Sequence, residues 1–490
     1  SKWDGTLNYT GSSADSSIVI NELDLLLTGG RLTPQNRDII TQRYERTLAS
    51  GGEQAALRDA EELFLFTAEF HTASALNAQN SVHRQEPVAT TSAGRPYKAV
   101  VYIYLAGGAD TYNMLVPHSN CPDKDLNLEY ASVRGTNAVP RSQLLPISAA
   151  TSNQPCATFG VHPRLTSIQQ AYLDGDAAFI ANIGNLVQPL TREGYVDGDP
   201  RPPSLYSHNT QTTVTQNVHA QAVTSAKGVL GRIGSQLAAS SPSGRPRYKV
   251  DSYSTAGNIK ILEGGPAAPE MLPLTGTVRL SHLDSLREDV AAITNPESGS
   301  VFAETYSHLI ESSITDAERL AAIMGADEVQ LENNFPSGLA AEGSTIGEQL
   351  AQLARILRAR AAGTLDTERD IFFAQENGWD SHATLNIALS QYAQGLETKW
   401  GYVNDALTAF TAELKAMGLW DNVTIVMGSE FGRTMDSNGL GTDHGVGTAS
   451  GAGSARRVFS ANDVELKGSA RVARMRARAG VVLGDNERKV

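Results

Sequence analysis

The chain has 490 residues, of which 41% are hydrophobic and 19% are charged, and its formal net charge is -13. These values are ordinary for a soluble globular protein, and the length suits either one large α/β domain or two to four smaller ones. The negative charge disfavours a non-specific binder of nucleic acid. No run of about 18 apolar residues occurs, so the sequence predicts no membrane-spanning segment.

The first part of the chain predicts a small helical unit over residues 1–75. Apolar residues recur at helical spacing in three stretches of this part, and glycine pairs separate the stretches. Thr33-Pro34 fits an N-cap residue followed by a first-turn proline. Residues 76–97 are polar and contain Pro87 and Pro96, so we interpret them as a linker.

The central part, residues 98–445, predicts an α/β domain. It opens with a continuous apolar run over 98–106, which is typical of a strand buried on both faces. Alternating strands and helices then predict a three-layer α/β/α fold around a large, mostly parallel sheet. The further strands are expected at 177–183, 248–253, 371–374 and 423–427, and the helices at about 163–174, 222–238, 344–363 and 385–417.

Two segments depart from this alternation. Residues 265–343 are helix-rich, punctuated by Pro and Gly, and without a predicted strand, so we interpret them as a helical insertion or cap over the sheet edge. Residues 446–490 are rich in Gly, Ala and Arg, which predicts a linker followed by a basic helix or a disordered tail.

Several features favour an exported protein. The chain has two cysteines, Cys121 and Cys156, on either side of a loop-like stretch, and we predict a disulfide between them; two unrelated thiols are the alternative. The triplets that begin at Asn8 and Asn422 could accept glycans. Ser1 is expected to be a processed or trimmed terminus. Secreted, extracellular or periplasmic locations follow from this interpretation.

Three short motifs predict a metal site. Asp110 follows the first apolar strand, Asp380 and His382 follow a later one, and Asp443-His444 lies in a Gly-rich loop. Carboxylate oxygens and imidazole nitrogens are the mixed ligands that a divalent metal needs. Ligands of an open α/β sheet bind at the carboxyl ends of its strands. The alternatives are a turn or helix cap for Asp110 and a loop hydrogen bond for the Asp-Ser-His triplet.

Seven phrases resemble a secreted family of unknown function that is sulfatase-like and belongs to the alkaline phosphatase superfamily. The resemblance covers roughly residues 97–445, and the phrases are Leu105-Ala-Gly-Gly-Ala-Asp-Thr-Tyr-Asn-Met-Leu-Val-Pro117, Phe159-Gly-Val-His-Pro163, Leu205-Tyr-Ser-His-Asn209, Gly378-Trp-Asp-Ser-His382, Leu419-Trp-Asp-Asn-Val423, Ser429-Glu-Phe-Gly-Arg-Thr434 and Gly441-Thr-Asp-His-Gly445.

This resemblance implies a hydrolase in which two divalent metal ions hold a phosphate or sulfate ester against an oxygen nucleophile. Zinc is the first candidate, with calcium, magnesium or manganese as alternatives, and the substrate would be an ester of a small molecule or a polysaccharide. Glu430 departs from the superfamily pattern, which usually has an Asp-His pair there. The implied metal ligands are Asp110, Asp380, His382, Glu430, Asp443 and His444.

The nucleophile is not assigned by the motifs. Ser207 and Thr210 follow a Pro-Pro pair in a segment that could open a helix, where free amides and the helix dipole stabilise an anion, and Thr111 is a third candidate. Both helix-start residues also suit an N-cap role. His208 fits a ligand, an oxyanion donor or an ordinary structural histidine. Arg433 could clamp an anionic oxygen, or form a surface salt bridge.

Two functions from different classes therefore follow from the sequence. The first is an exported metal-dependent hydrolase. The second is a catalytically inactive extracellular protein with a structural or adhesive role, which could associate with itself or with matrix partners. The retained Asp and His motifs favour the hydrolase, whereas the tail after Gly445, which departs from the family pattern, favours the structural protein.

Overall fold

The computed structural model describes residues 9, 15–72, 91–151, 154–188, 191–221, 225–239, 247–276, 283–295, 301–383, 395–445 and 456–458. Its contacts divide the chain into two compact units. The helical unit comprises Ser1–Ala89 and Thr277–Ala322, and the α/β unit comprises Thr90–Gly276 and Ile323–Val490. Most of the predicted linker and of the tail lies outside the described residues.

The described chain has runs of helices at 16–71, 192–238 and 283–361, with strands between and after them. The helices are α1 (Ser16–Thr28), α2 (Pro34–Gly51), α3 (Glu53–Phe66), α4 (Ala68–His71), α5 (Leu126–Arg134), α6 (Thr166–Leu173), α7 (Arg192–Asp197), α8 (His208–Asn217), α9 (Val229–Ala238), α10 (Leu283–Thr294), α11 (Val301–Met324), α12 (Ile346–Ala361) and α13 (Leu396–Ala416). The strands are β1 (Lys98–Leu105), β2 (Leu115–Ser119), β3 (Leu145–Ser148), β4 (Thr158–Val161), β5 (Ile180–Ile183), β6 (Val250–Ser254), β7 (Glu270–Met271), β8 (Arg369–Glu376), β9 (Val423–Gly428), β10 (Gly432–Arg433), β11 (His444–Gly445) and β12 (Arg456–Val458).

The helical unit is held together by one apolar core. Residues of α1, α2, α3 and α10 share it, including Leu23, Ile40, Leu63 and Val290. The predicted N-cap is confirmed, because the side chain of Thr33 accepts a hydrogen bond from the amide of Asn36 at the start of α2. Apolar stripes of this kind bury themselves against one another, which removes their surface from water.

The grouping of α10 and most of α11 with the N-terminal helices was not anticipated from the sequence, which assigned residues 265–343 to an insertion in the α/β domain. Charged pairs reinforce the grouping, since Arg46 of α2 lies 2.6 Å from the carboxylate of Asp289 in α10. The same segment also holds one strand that the sequence did not predict, because β7 pairs with β6.

The α/β unit is built on a parallel sheet with strand order β7-β6-β8-β1-β9. All four strand pairs are parallel. Along β1, Val100, Tyr102 and Tyr104 face α9 and pack in one apolar cluster with Ile371 and Phe373 of β8. A second group of helices includes α12, which contacts β8 and packs against α13. The predicted fold class, an α/β domain around a mostly parallel sheet, is confirmed.

Smaller sheets accompany the central one. The predicted strand at 177–183 appears as β5, but it pairs antiparallel with β12 and does not join the central sheet. The strands β2, β4 and β3 form an antiparallel sheet, and the predicted disulfide between Cys121 and Cys156 is confirmed beside it. Within the described ranges, no helix combines the length and apolar character needed to cross a membrane.

Candidate metal centre

Three loops leave neighbouring strands of the parallel sheet at the same edge. The loop after β1 contains Asp110, the loop after β8 contains Asp380 and His382, and the segment after β9 contains Glu430. Because these strands are parallel and adjacent, their carboxyl ends meet, and this edge is where open α/β sheets bind ligands.

A glycine lets two of these loops approach each other closely. Gly107 has a φ of +127°, and a Cβ atom at this position would lie 2.4 Å from the amide nitrogen of Asp380. Neither that backbone conformation nor that distance is compatible with a side chain. Gly107 therefore allows the loop after β1 to pack directly against the backbone that carries Asp380.

Four side chains converge at this edge. One nitrogen or oxygen atom each of His208, Asp380 and His444 lies within 4.8 Å of the others. The Nε2 atom of His444 lies 3.1 Å from Nε2 of His208, 2.8 Å from Nε2 of His382 and 3.3 Å from Oδ1 of Asp380. Asp380 is also 3.1 Å from Nε2 of His382 and 3.4 Å from Nε2 of His208. We call these four residues the cluster.

Each imidazole of the cluster is fixed by a partner at its other nitrogen. Nδ1 of His208 lies 2.7 Å from Oε1 of Glu430, and Nδ1 of His382 lies 3.1 Å from Oδ1 of Asp443. Nδ1 of His444 lies 2.7 Å from the carbonyl oxygen of Tyr206. Metal-binding histidines almost always donate their second N–H to a carboxylate or a backbone carbonyl, which sets both the tautomer and the ring orientation.

These partners determine where the protons lie. Carboxylate and carbonyl oxygens only accept hydrogen bonds, so in a neutral imidazole Nδ1 carries the proton and Nε2 keeps its lone pair. The lone pairs of three Nε2 atoms and the carboxylate of Asp380 therefore face one another. Such an arrangement is repulsive unless a cation or a proton lies between the donor atoms.

The distances between the donor atoms are close to those between the ligands of a tetrahedral metal ion. A tetrahedral metal with bonds of about 2.0–2.1 Å has ligand atoms about 3.3–3.4 Å apart. The five donor contacts given above for the cluster span 2.8 to 3.4 Å. Nitrogen and carboxylate ligands suit divalent transition metals. By spacing, tautomer and donor type, the cluster fits a divalent metal ion.

The pKa values of His208 and His444 are shifted in opposite directions. The hydrogen bond to Glu430 raises the pKa of His208, against the effect of burial. Burial lowers the pKa of His444, although its bond to the Tyr206 carbonyl opposes this. For Glu430, burial acts to raise the pKa, but the hydrogen bonds from His208, from backbone amides and from Ser429 together outweigh it, and the pKa lies below the usual value. The contact between His208 and Glu430 therefore favours the protonated imidazole and the ionised carboxylate.

The carboxylates near the surface stay ionised. Burial acts to raise the pKa of Asp380, but the hydrogen bond and charge of Arg433 lower it below its usual value. The hydrogen bonds from His382 and Asn438 lower the pKa of Asp443. Both carboxylates are therefore negative across the neutral range and attract a cation.

Arg433 is a fully buried support of the cluster. Its guanidinium donates to a carboxylate oxygen of Asp380, to the carbonyl oxygens of Gly107 and Gly108 at 2.6 and 2.7 Å, and to that of Thr442 at 3.1 Å. The sequence suggested that this residue could clamp a substrate oxygen or form a surface salt bridge. The structure instead places the guanidinium between the loops that carry the ligands.

The structure separates the six predicted ligands into two groups. Asp380, His382 and His444 belong to the cluster, whereas Glu430 and Asp443 each contact the Nδ1 atom of a cluster histidine. Asp110 is not among the residues brought together, since its buried carboxylate pairs with Arg134 at 2.9 Å.

The candidate nucleophiles lie on either side of His208 or beside Asp110. Ser207 occupies the N-cap position of α8, Thr210 lies in the first turn of that helix, and Thr111 is buried. The sequence left three roles open for His208, and it did not predict the Tyr206 carbonyl as a site group. The signal for both was the Tyr206-Ser207-His208 phrase, which gives no indication that its histidine faces the later Asp-His motifs.

Together these features define an α/β protein with a candidate metal centre at the carboxyl edge of a parallel sheet. The chain belongs to a family described as protein of unknown function (DUF1501), whose model matches residues 97–454. This match agrees with the resemblance to a family of unknown function. No curated protein matches the sequence.

The chain is also similar, at low identity, to several solved structures. The C-terminal periplasmic domain of EcEptC from Escherichia coli is 9% identical over 77% of each chain, with a TM-score of 0.28. The alkaline phosphatase from the Antarctic bacterium TAB5 is 11% identical over 76% of this chain and 93% of its own, with a TM-score of 0.26. The PsFucS1 sulfatase from Pseudoalteromonas sp. is 11% identical over 87% of this chain and 66% of its own, with a TM-score of 0.23.

Proposed function

We propose that this chain is an exported hydrolase of phosphate or sulfate esters that depends on a divalent metal ion. The observation that carries the proposal is the cluster, in which His208, Asp380 and His444 converge, Nε2 of His382 contacts both His444 and Asp380, and each Nδ1 atom has a fixed partner. This donor set suits zinc better than calcium or magnesium, which take oxygen ligands. The motif resemblance supplies the reaction class.

Helix α8 favours an anionic group beside the cluster. The helix begins at His208, so the free amides of its first turn and the positive end of its dipole lie next to a cluster residue. Ser207 stands at the N-cap of α8 and makes no side-chain capping hydrogen bond within the described structure. Its hydroxyl is therefore the first candidate nucleophile, ahead of Thr210 and the buried Thr111.

A divalent ion held here would act as a Lewis acid toward the oxygens of the ester. The residues of the chain have separate tasks. The Nδ1 partners keep the imidazole rings oriented, Arg433 keeps Asp380 ionised and in place, and the first-turn amides of α8 bind the oxygens that carry the negative charge. The organic part of the ester, a small molecule or a polysaccharide, would extend toward solvent.

Export is the second part of the proposal. The disulfide between Cys121 and Cys156 is typical of an oxidising compartment, either extracellular or periplasmic. Self-association and extracellular matrix partners remain predictions from the sequence.

Metal content and ester hydrolysis, measured on the same preparations, test the proposal. Protein purified without chelators is expected to contain a transition metal by elemental mass spectrometry, and His382→Ala and His444→Ala are expected to lose it. An aryl phosphate and an aryl sulfate then distinguish the two ester classes, and Ser207→Ala is compared with Thr210→Ala at equal metal content. Native protein that binds no metal would contradict the proposal and favour the inactive structural or adhesive protein.

A further inference from the structure

We infer that the centre holds one divalent ion per chain, because the guanidinium of Arg134 occupies the place beside Asp110 that a second ion would need. This inference rests on the proposed function and adds the number of ions to it. The motif resemblance implies two ions, with Asp110 among the ligands, so the surroundings of this carboxylate decide between the two numbers.

Both oxygens of Asp110 already have partners in the fold. Oδ2 accepts hydrogen bonds from Nη2 of Arg134 at 2.9 Å and from Oγ1 of Thr442 at 2.9 Å. Oδ1 accepts from the amide of Tyr112 at 3.2 Å. The side chains of Asp110 and Arg134 are both 0% exposed. Asp380 also pairs with an arginine, but its side chain is 44% exposed, whereas the carboxylate of Asp110 is balanced by Arg134 and has both oxygens engaged by protein donors inside the protein.

Arg134 cannot easily leave this position. The residue lies in the last turn of α5, and Nη2 also donates to the side-chain oxygen of Asn113 at 3.0 Å. Nη1 donates to the carbonyl oxygen of Met435 at 3.4 Å, and the guanidinium lies 5.8 Å from the centre of the Tyr112 ring. Moving it out would leave the buried carboxylate of Asp110 without a counter-charge, which is strongly unfavourable.

Both carboxylate oxygens of Glu430 also have partners in the fold. Its Oε1 atom contacts Nδ1 of His208 at 2.7 Å and accepts from the amide of Gly107 at 2.8 Å. Its Oε2 atom accepts from the hydroxyls of Tyr104 and Ser429, both at 3.0 Å. The two buried carboxylates that the resemblance offers for additional coordination are thus both committed to protein donors.

Asp110 acts instead as a positioning residue. The hydroxyl of Thr442 donates to Asp110, and Thr442 directly precedes Asp443 and the cluster residue His444. The backbone carbonyl of Thr442 is held from another side by Arg433 at 3.1 Å. The Asp110–Arg134 pair therefore anchors the segment that presents His444, without contributing a ligand.

The number of bound ions tests this inference directly. The full chain is stripped with a chelator, titrated with Zn²⁺ and measured by native mass spectrometry. Native protein is expected to saturate at one ion, and Asp110→Asn is expected to saturate at one ion as well, with a melting temperature lower by roughly 5 °C or more. Two ions in the native protein, or a lost ion in Asp110→Asn, would overturn the inference while leaving the proposed function intact. No bound ion in native protein would defeat the proposed function and this inference together.

If Asp110→Asn fails to fold, the number of Zn²⁺ ions bound by native protein still tests the inference. Variants of Thr442 test the positioning role of Asp110 separately. Thr442→Ser keeps the hydroxyl that donates to Asp110, and Thr442→Val removes it. Thr442→Val is expected to bind Zn²⁺ about tenfold more weakly than native protein, which is the lower end of the range for residues that support a metal ligand. The affinity of Thr442→Ser should stay within about twofold of the native value. Equal affinities in Thr442→Val and native protein would overturn the positioning role.

Discussion

Asp380 and Asp110 occupy similar places in the chain but have opposite surroundings. Each follows a strand of the parallel sheet at the same edge. Asp380 has a side chain that is 44% exposed and lies within 3.4 Å of imidazole nitrogens, whereas Asp110 is fully buried against Arg134. Asp380 is also paired with an arginine, Arg433, so an ion pair alone does not keep an aspartate from a metal; the two residues differ in that the carboxylate of Asp110 is fully buried among protein donors.

The largest expected effect is the loss of a cluster histidine. His444→Ala should lower the affinity for Zn²⁺ by more than about 100-fold, because Nε2 of His444 contacts the other three members of the cluster and loss of a ligand exceeds loss of a supporting residue. Isothermal titration measures the change. His118→Ala removes a histidine of β2 and is the matched control, which should bind normally. A normal affinity in His444→Ala would show that the cluster is not the binding site.

The next largest expected effect is the loss of a carboxylate that orients a cluster histidine. Glu430→Gln should weaken Zn²⁺ binding by about 10–100-fold, because its buried carboxylate, 2% exposed, orients His208. Asp443→Asn should weaken binding by less than about tenfold, because its carboxylate is 60% exposed and water screens its bond to His382. The same titration applies to both variants. The reverse order of the two effects would contradict the roles assigned from burial.

Acidification should release the ion earlier than for an ordinary histidine site. A bound histidine must lose its Nε2 proton, and the hydrogen bond to Glu430 raises the pKa of His208 above 6.5. As the pH is lowered, the affinity for Zn²⁺ should therefore start to fall while the pH is still above 6.5. It should then fall by about tenfold per pH unit for each proton taken up. Titrations between about pH 8 and pH 5.5 measure this. In Glu430→Gln the fall should begin at lower pH, and a pH-independent affinity would contradict the assignment.

The smallest expected effect on metal binding comes from the disulfide. Replacing both Cys121 and Cys156 by Ser should lower the free energy of unfolding by about 4 kcal/mol, given their separation of 35 residues in sequence. Denaturant unfolding measures this loss. Zinc affinity should stay native, since neither residue contacts the cluster. A parallel loss of affinity would mean that the disulfide supports the metal site.

Much of the fold could be predicted from local patterns. The apolar run of β1 and the Thr33-Pro34 start of α2 are both visible in a short window of sequence. The packing of α10 with α1, α2 and α3 could not be predicted, because an amphipathic stripe shows that a helix is buried but not which helix buries it. The pairing of β5 with β12 is a long-range choice of the same kind.

The site was predictable in type but not in detail. Asp380, His382 and His444 could be found because each stands in a motif with another potential ligand. His208 could be named only as a ligand, an oxyanion donor or a structural histidine, because its own segment contains no second ligand and the carboxylates it contacts are more than 170 residues away in sequence. The supporting role of Glu430 depends on which imidazole nitrogen its oxygen faces, and only the three-dimensional arrangement determines that.

X-ray absorption spectroscopy of the zinc-loaded protein shows whether His208, His382, His444 and Asp380 bind one metal ion. We expect about three imidazole nitrogens and one oxygen at about 2.0–2.1 Å, with no second metal ion nearby. A shell of oxygens without imidazole scattering would contradict this expectation.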